Sequence, residues 1–332
     1  MAASALGARD LLKLARQGLD VRSVRARVKK PFRFLLCGDP ALVAEMRALL
    51  LWGHHDDTVP LDAAACLETL LPGDAPMAAQ SSEVRAVIFL GRRGDLAGAD
   101  LGSLKPLKVP VLAVTVDTDS PSSGPASPPA AGASAEYVVG SISREGLRSR
   151  VFPHLVECAR GVEIAVGRRL PALRETVAAK LTRDAASSAL KVSLASAVVD
   201  HIPVVGVVFG AFASAGDMVA ITGIQMMLLL HIEAAYGRDP DVQRMWQLLP
   251  VVGGGFGWRT LARELSGFIP VAGIAIKGAI AYAGTIVVGE SVTFFLEHGH
   301  HMTRAQASKI YERTKNDALA FAREIIGRFR AN

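Results

Sequence analysis

Apolar and polar positions follow one rhythm in the first half of this chain and another in the second. Phe32-Arg33-Phe34-Leu35-Leu36-Cys37 predicts a strand, Gly38-Asp39-Pro40 a turn and 41–52 a helix, and the apolar runs 86–90 and 109–116 predict two further strands. A strand over 136–140 leads through Ser141-Ile142-Ser143 into a helix from Glu145, which continues into a second one, with Pro171 near its start, that reaches Leu194. Such alternation implies a parallel sheet with helices on its faces. Between 118 and 135 the pattern gives way to Pro, Ser, Gly and Ala, a composition that cannot bury a core and predicts a disordered loop.

Past residue 200 the periodicity disappears into two long apolar stretches, 202–230 and 267–289, each with one formal charge near its middle, Asp217 and Lys277. About 20 apolar residues suffice to cross a bilayer core, and an ionisable group inside such a span marks a functional candidate. At about 100° per residue, Gly206, Gly210, Ala213, Asp217 and Ala220 share one stripe, and Gly273, Lys277, Ala281, Gly284 and Ser291 share another. Small residues let helix backbones approach closely. Antiparallel packing would bring the two charges to one depth, which predicts a buried Asp217–Lys277 ion pair fixing the register of a helical hairpin; transport or proton relay is the alternative role. Pro203 and Pro270 fall at helix starts, where a missing N–H costs nothing. The connection 237–266 carries Arg238, Arg244, Arg259 and Arg263, which a two-pass hairpin would have to translocate, yet it is apolar from Trp246 to Phe256. Spanning, re-entrant and soluble-bundle arrangements therefore all stay open.

Composition sharpens this picture. Half of the 332 residues are hydrophobic but only 6% are aromatic, so the excess is aliphatic, and the mean hydropathy is +0.31. The net charge of +6 is arranged in blocks. Nine Lys/Arg against Asp10 and Asp20 leave +7 over 1–33, ten against five leave +5 over 144–191, and seven against three leave +4 over 303–332. The intervening segments are acidic, so basic flanks bracket the apolar region in the way anionic head groups favour. No nucleic-acid motif accompanies them. Residues 6–28 read as a basic amphipathic helix ended by Pro31. Cys37, Cys66 and Cys158 are odd in number and far apart, which signals neither a disulfide framework nor a metal site and fits a reducing compartment. The histidine clusters His54-His55-Asp56-Asp57 and Glu297-His298-Gly299-His300-His301 lack zinc-motif spacing. No nucleophile elbow or His-Glu-x-x-His helix is present, so no metal, cofactor or catalytic residue is assigned.

The order of elements over about 31–160, with Val138-Val139-Gly140-Ser141-Ile142-Ser143-Arg144-Glu145-Gly146-Leu147 as its last motif, resembles a Ras- or Era-type P-loop GTPase domain. The defining chemistry is missing. Counting from Gly38, the positions for the second glycine, the lysine and the hydroxyl of a P-loop hold Val43, Ala44 and Glu45, and Thr115-Val116-Asp117-Thr118-Asp119 offers no guanine-reading lysine. The resemblance implies a degenerate domain without nucleotide. Over 190–297 the chain is similar to the YcjF-like domain of unknown function, a hydrophobic helical module that commonly follows GTPase domains in bacterial proteins. Pro203, Asp217, Gln225-Met226, Tyr236-Gly237, Pro270 with its neighbours, and 284–289 ending at Gly289 before Phe294-Phe295 carry that likeness.

The expected architecture is a basic helix over 1–30, a degenerate GTPase-like α/β parallel-sheet domain over 31–160 and a mostly α-helical hydrophobic domain over 161–332. The expected function is non-catalytic scaffolding or regulation at the cytoplasmic membrane, with the α/β domain on the cytosolic side. Anionic lipid is the expected partner, with a true GTPase or a second copy as further candidates. An oligomeric pore or transporter and a soluble helical interaction protein are the alternatives.

Overall fold

The computed structural model describes residues 20–54, 58–70, 82–95, 101–118, 131–199, 206–241 and 272–331; within its helices, the side chains of 195–199, 206–218, 272–277 and 319–331 fall outside that description. Two compact units result, one of Arg25–Val177 with Ala234–Arg238, the other of Met1–Val24, Ala178–Glu233 and Asp239–Asn332. The predicted loop lies largely outside the described residues, as does most of the basic N-terminal helix, of which Val21–Val28 (α1) is seen.

The α/β unit is built on five parallel strands, β1 Arg33–Gly38, β2 Leu67–Thr69, β3 Val84–Arg92, β4 Val111–Val116 and β5 Ala135–Val139, in the order β2-β1-β3-β4-β5. The chain moves outward from β1 to β2 and then returns across β1 to β3, so the winding reverses between β1 and β3. In β4, the first five residues are all buried, as expected where helices cover both faces of a parallel sheet. One side of the core packs Leu35, Val87 and Val111 against Leu101, Leu104 and Leu107 from a 3₁₀ segment, Leu101–Leu107. Helices α2 (Pro40–Leu51) and α3 (Leu61–Ala64) follow β1, and α4 (Arg144–Arg148), α5 (Val151–Cys158) and α6 (Glu163–Arg169) follow β5.

The long helix read from Glu145 onward is in fact three short ones. Ser143 caps α4 by accepting from the Gly146 N–H, Pro153 confines α5 to a new start, and Gly161 at φ 84° turns the chain into α6. Arg169 then ties the segments together. Its guanidinium donates to Asp62 and to the Lys30 carbonyl, both at 2.9 Å, while covering the Phe32 ring.

Four long helices dominate the rest: α7 Arg174–Val199, α8 Gly206–Ala235, α9 Ala272–His298 and α10 Arg304–Ala331. Their directions follow from named contacts. A methyl group on Gly278 would fall 2.7 Å from Leu190, and one on Gly289 would overlap Thr182, so α7 and α9 run antiparallel in close contact. Arg174, the first residue of α7, lies over the Tyr236 ring just past the end of α8, so α7 and α8 are also antiparallel. It follows that α8 and α9 run parallel. The antiparallel hairpin expected from sequence is corrected accordingly.

Helix α10 folds back along α9, with Ala307 and Tyr311 against Ala283 and Val287. A reciprocal cap begins it: Thr303 accepts from the Gln306 N–H, and Gln306 accepts from the Thr303 N–H. Helix α9 thus meets α7 and α8 along the Gly278–Thr285–Gly289 stripe and α10 on the opposite face through Ala283 and Val287, which is one physical reason for apolarity on both sides.

Candidate functional site

In open α/β sheets, ligands bind beyond the carboxyl ends of the strands, where the winding reverses. Here that place lies between Gly38 at the end of β1 and Arg92 at the end of β3. Gly38 has φ 112°, and the Leu90 carbonyl occupies the space a side chain would need, so the chain turns from strand into helix within one residue, Asp39. Asp39 Oδ1 accepts from the N–H groups of Ala41 (2.8 Å) and Leu42 (3.2 Å), and its Oδ2 pairs with Arg92 Nε at 3.3 Å. Those N–H bonds, Leu42 foremost, with Arg92 beside them, hold the carboxyl below the usual range. Pro40 supplies no N–H at all. Around this core, Asp95 accepts from the Arg92 N–H at 2.6 Å, and Arg93 pairs with Asp117 at 3.3 Å beyond β4.

Val43, Ala44 and Glu45 all lie inside α2, Val43 buried and Glu45 exposed, with no loop between strand and helix in which a phosphate could be wrapped. A helix N-terminus ordinarily attracts anions through its unpaired N–H groups. At α2, the side chain of Asp39 already supplies the anion.

In the helical unit, Gln225 Nε2 donates to Thr285 Oγ1 at 3.2 Å, and Thr285 donates onward to the Ala281 carbonyl at 2.8 Å. Both side chains are buried, and Gln225 Oε1 has no donor facing it. Asp217 and Lys277 each stand eight residues earlier on their helices (225 − 217 = 285 − 277), which sets their backbones at one level; their side chains are outside the described set. Gly206, Gly210 and Gly273 are helical, Gly284 and Gly289 are buried in α9, and Pro203 and Pro270 lie outside the described residues. Gly289 faces α7. Tyr236 and Gly237 form the stop of α8: Gly237 takes φ 89°, Arg174 covers the Tyr236 ring and Arg168 donates to the Arg238 carbonyl at 3.0 Å.

Of the histidines in the two clusters, His54, His298, His300 and His301 are engaged in ring packing and backbone bonds. His54 Nε2 lies 3.0 Å from the Arg169 carbonyl, and burial lowers its pKa. His298 stacks on Phe294, and His301 stacks on Phe295. Among the described residues, no group of His, Cys, Asp and Glu could hold a metal ion. Burial pushes the thiols of Cys37, Cys66 and Cys158 up to about 11, so all three are protonated at neutral pH. Tyr137 and His154, joined at 2.7 Å from hydroxyl to Nδ1, were not singled out from sequence, where nothing links a strand residue to a helix residue 17 positions on.

No protein-family model matches the chain, and no curated protein or solved structure matches it either.

Proposed function

We propose that this chain is a non-catalytic, membrane-associated scaffold or regulatory protein, in which a degenerate P-loop GTPase-like domain without nucleotide is coupled to a YcjF-like helical domain. The Asp39 cap carries the first part of this reading. A phosphate approaching the start of α2 would meet a carboxylate that already holds the available N–H groups, next to a proline with none to offer. Neither a lysine nor a magnesium-binding hydroxyl stands nearby at the P-loop positions. Titration calorimetry of the full chain with magnesium and GTP or ATP is expected to give no heat of binding at physiological nucleotide concentrations. Micromolar affinity for either would overturn the nucleotide-free reading.

Membrane association is supported by one helix, Gly278–His298, long and apolar enough to cross a bilayer among the described residues. The three free thiols and the basic segments favour a cytosolic face for the α/β unit. A true GTPase or a second copy of the chain is the partner class proposed for it. A soluble helical interaction protein is a second reading, favoured by two observations: two thirds of the most apolar 18-residue stretch of that helix is buried inside the protein, and α10, which packs along it, exposes Lys309, Glu312 and Arg313. Retention of the chain in membranes after a carbonate wash is expected on the first reading. Full release into the supernatant without detergent would favour the second.

A further inference from the structure

The helix directions sort the sequence of the helical unit lengthwise. Thr182 faces Gly289, Gln225 is bonded to Thr285, and Ala307 and Tyr311 pack with Val287 and Ala283, so the levels of all four helices can be matched. Helix α7 ends, α8 and α9 begin, and α10 ends, all at one end of the unit. On the far side of Asp217 and Lys277, the helical stretches 194–199, 206–216 and 272–276 contain no charged residue. The part of α10 that reaches this end, 318–331, carries Phe321, Ile325, Ile326 and Phe329 among Arg323, Arg328 and Arg330, with Glu324 its only acid. The opposite end holds Lys180, Arg183 and Asp184 on α7 and Arg304 and Lys309 on α10, while Glu312, Arg313, Lys315 and Asp317 on α10 and Lys191 on α7 stand at or just above the level of Asp217 and Lys277.

We propose that the helical unit enters an anionic bilayer end-on, through the end formed by the C-termini of α7 and α10 and the N-termini of α8 and α9. The proposal rests on the membrane-associated reading above and specifies which surface makes the contact. An uncharged helical end is matched to hydrocarbon, while arginines among aromatic and aliphatic residues on α10 match the charged head-group layer. A fully spanning α9 would instead draw Lys309 and Arg313, exposed on the helix packed beside it, into hydrocarbon. End-on entry keeps those charges in water.

Hydrogen–deuterium exchange of the full chain, with and without vesicles of phosphatidylcholine and phosphatidylserine, combined with flotation, tests this. The expected result is flotation with new amide protection in 206–216, 272–278 and 319–331 and none in 286–315. Replacing Arg323, Arg328 and Arg330 with Gln, which keeps helix propensity, should weaken binding to the anionic vesicles at least about tenfold, with a smaller effect at high salt. Flotation with protection across the whole of Gly278–His298 and the facing part of α10 would overturn end-on entry while leaving the membrane reading intact. No flotation in any lipid mixture would overturn both. Protection of the same end without vesicles, rising with protein concentration, would show that a second copy covers it and would also overturn the proposal.

Discussion

Asp39 does at one position what a bound phosphate does at many helix starts: it places negative charge against free N–H groups. Asn can accept the same bonds but carries no charge to set against Arg92, whereas Ala can do neither. Asp39→Asn should therefore lower the melting temperature slightly and Asp39→Ala more, as read by circular dichroism at neutral pH. The pH dependence has a definite sign, because the folded carboxyl titrates below its ordinary value. Its stabilising contribution is present above the usual carboxylate range and is lost as pH falls through the folded value. The gap between wild type and Asp39→Ala should accordingly close at acid pH, and a gap that stays constant down to full protonation would remove the carboxylate from the account.

Among the elements, the Gln225–Thr285 bond joins α8 to α9 inside an apolar interior, and its two partners are not equivalent. Thr285→Val would leave the Gln225 amide buried without its acceptor, at a cost of about 1–3 kcal/mol. Gln225→Leu removes an amide whose oxygen already lacks a donor and leaves Thr285 bonded to the Ala281 carbonyl, so it should be much milder. The double variant should lie closer to Gln225→Leu than to Thr285→Val in chemical denaturation. β1, β3, β4 and β5 could be read from sequence because each is an apolar run bounded by turn chemistry. β2 could not, since Leu67-Glu68-Thr69 is three residues long with one buried position. The split of one expected helix into α4, α5 and α6 depends on Pro153 and Gly161, whose local effect competes with a helical pattern that runs through them. The Asp39 cap was only half legible: Gly-Asp-Pro signals a turn, but that the carboxylate folds onto α2 and meets Arg92 requires β3 to lie beside β1. In α9, apolarity all round fits a core helix and a membrane span equally well, and only its neighbours distinguish the two.

At the scale of the whole molecule, the depth of Asp217 and Lys277 is set by helices that neither residue belongs to. Helix α7 runs antiparallel to both α8 and α9, so those two run parallel, and the Gln225–Thr285 bond then matches the level of every residue on one with that of a residue on the other. Counting back eight residues, about 12 Å along each axis, arrives at the two charges together. Parallel helices with this register thus bring the charges to one level, as the antiparallel hairpin was expected to. A charge enclosed by apolar helix or lipid needs a partner, water or a change of proton; Lys277 is the one Lys or Arg on α8 and α9, while Lys191 of α7 and Asp317 of α10 reach the same level. Removing one partner of such a pair typically costs about 3–5 kcal/mol, while replacing both with apolar residues is often tolerated. Asp217→Leu and Lys277→Leu should each lower folded yield and melting temperature more than the double substitution does, and exchanging the charges, Asp217→Lys with Lys277→Asp, should recover part of the loss. Two effects that simply add, or single substitutions without consequence, would mean that the shared level of the two residues reflects helix register alone and that no ion pair joins α8 to α9.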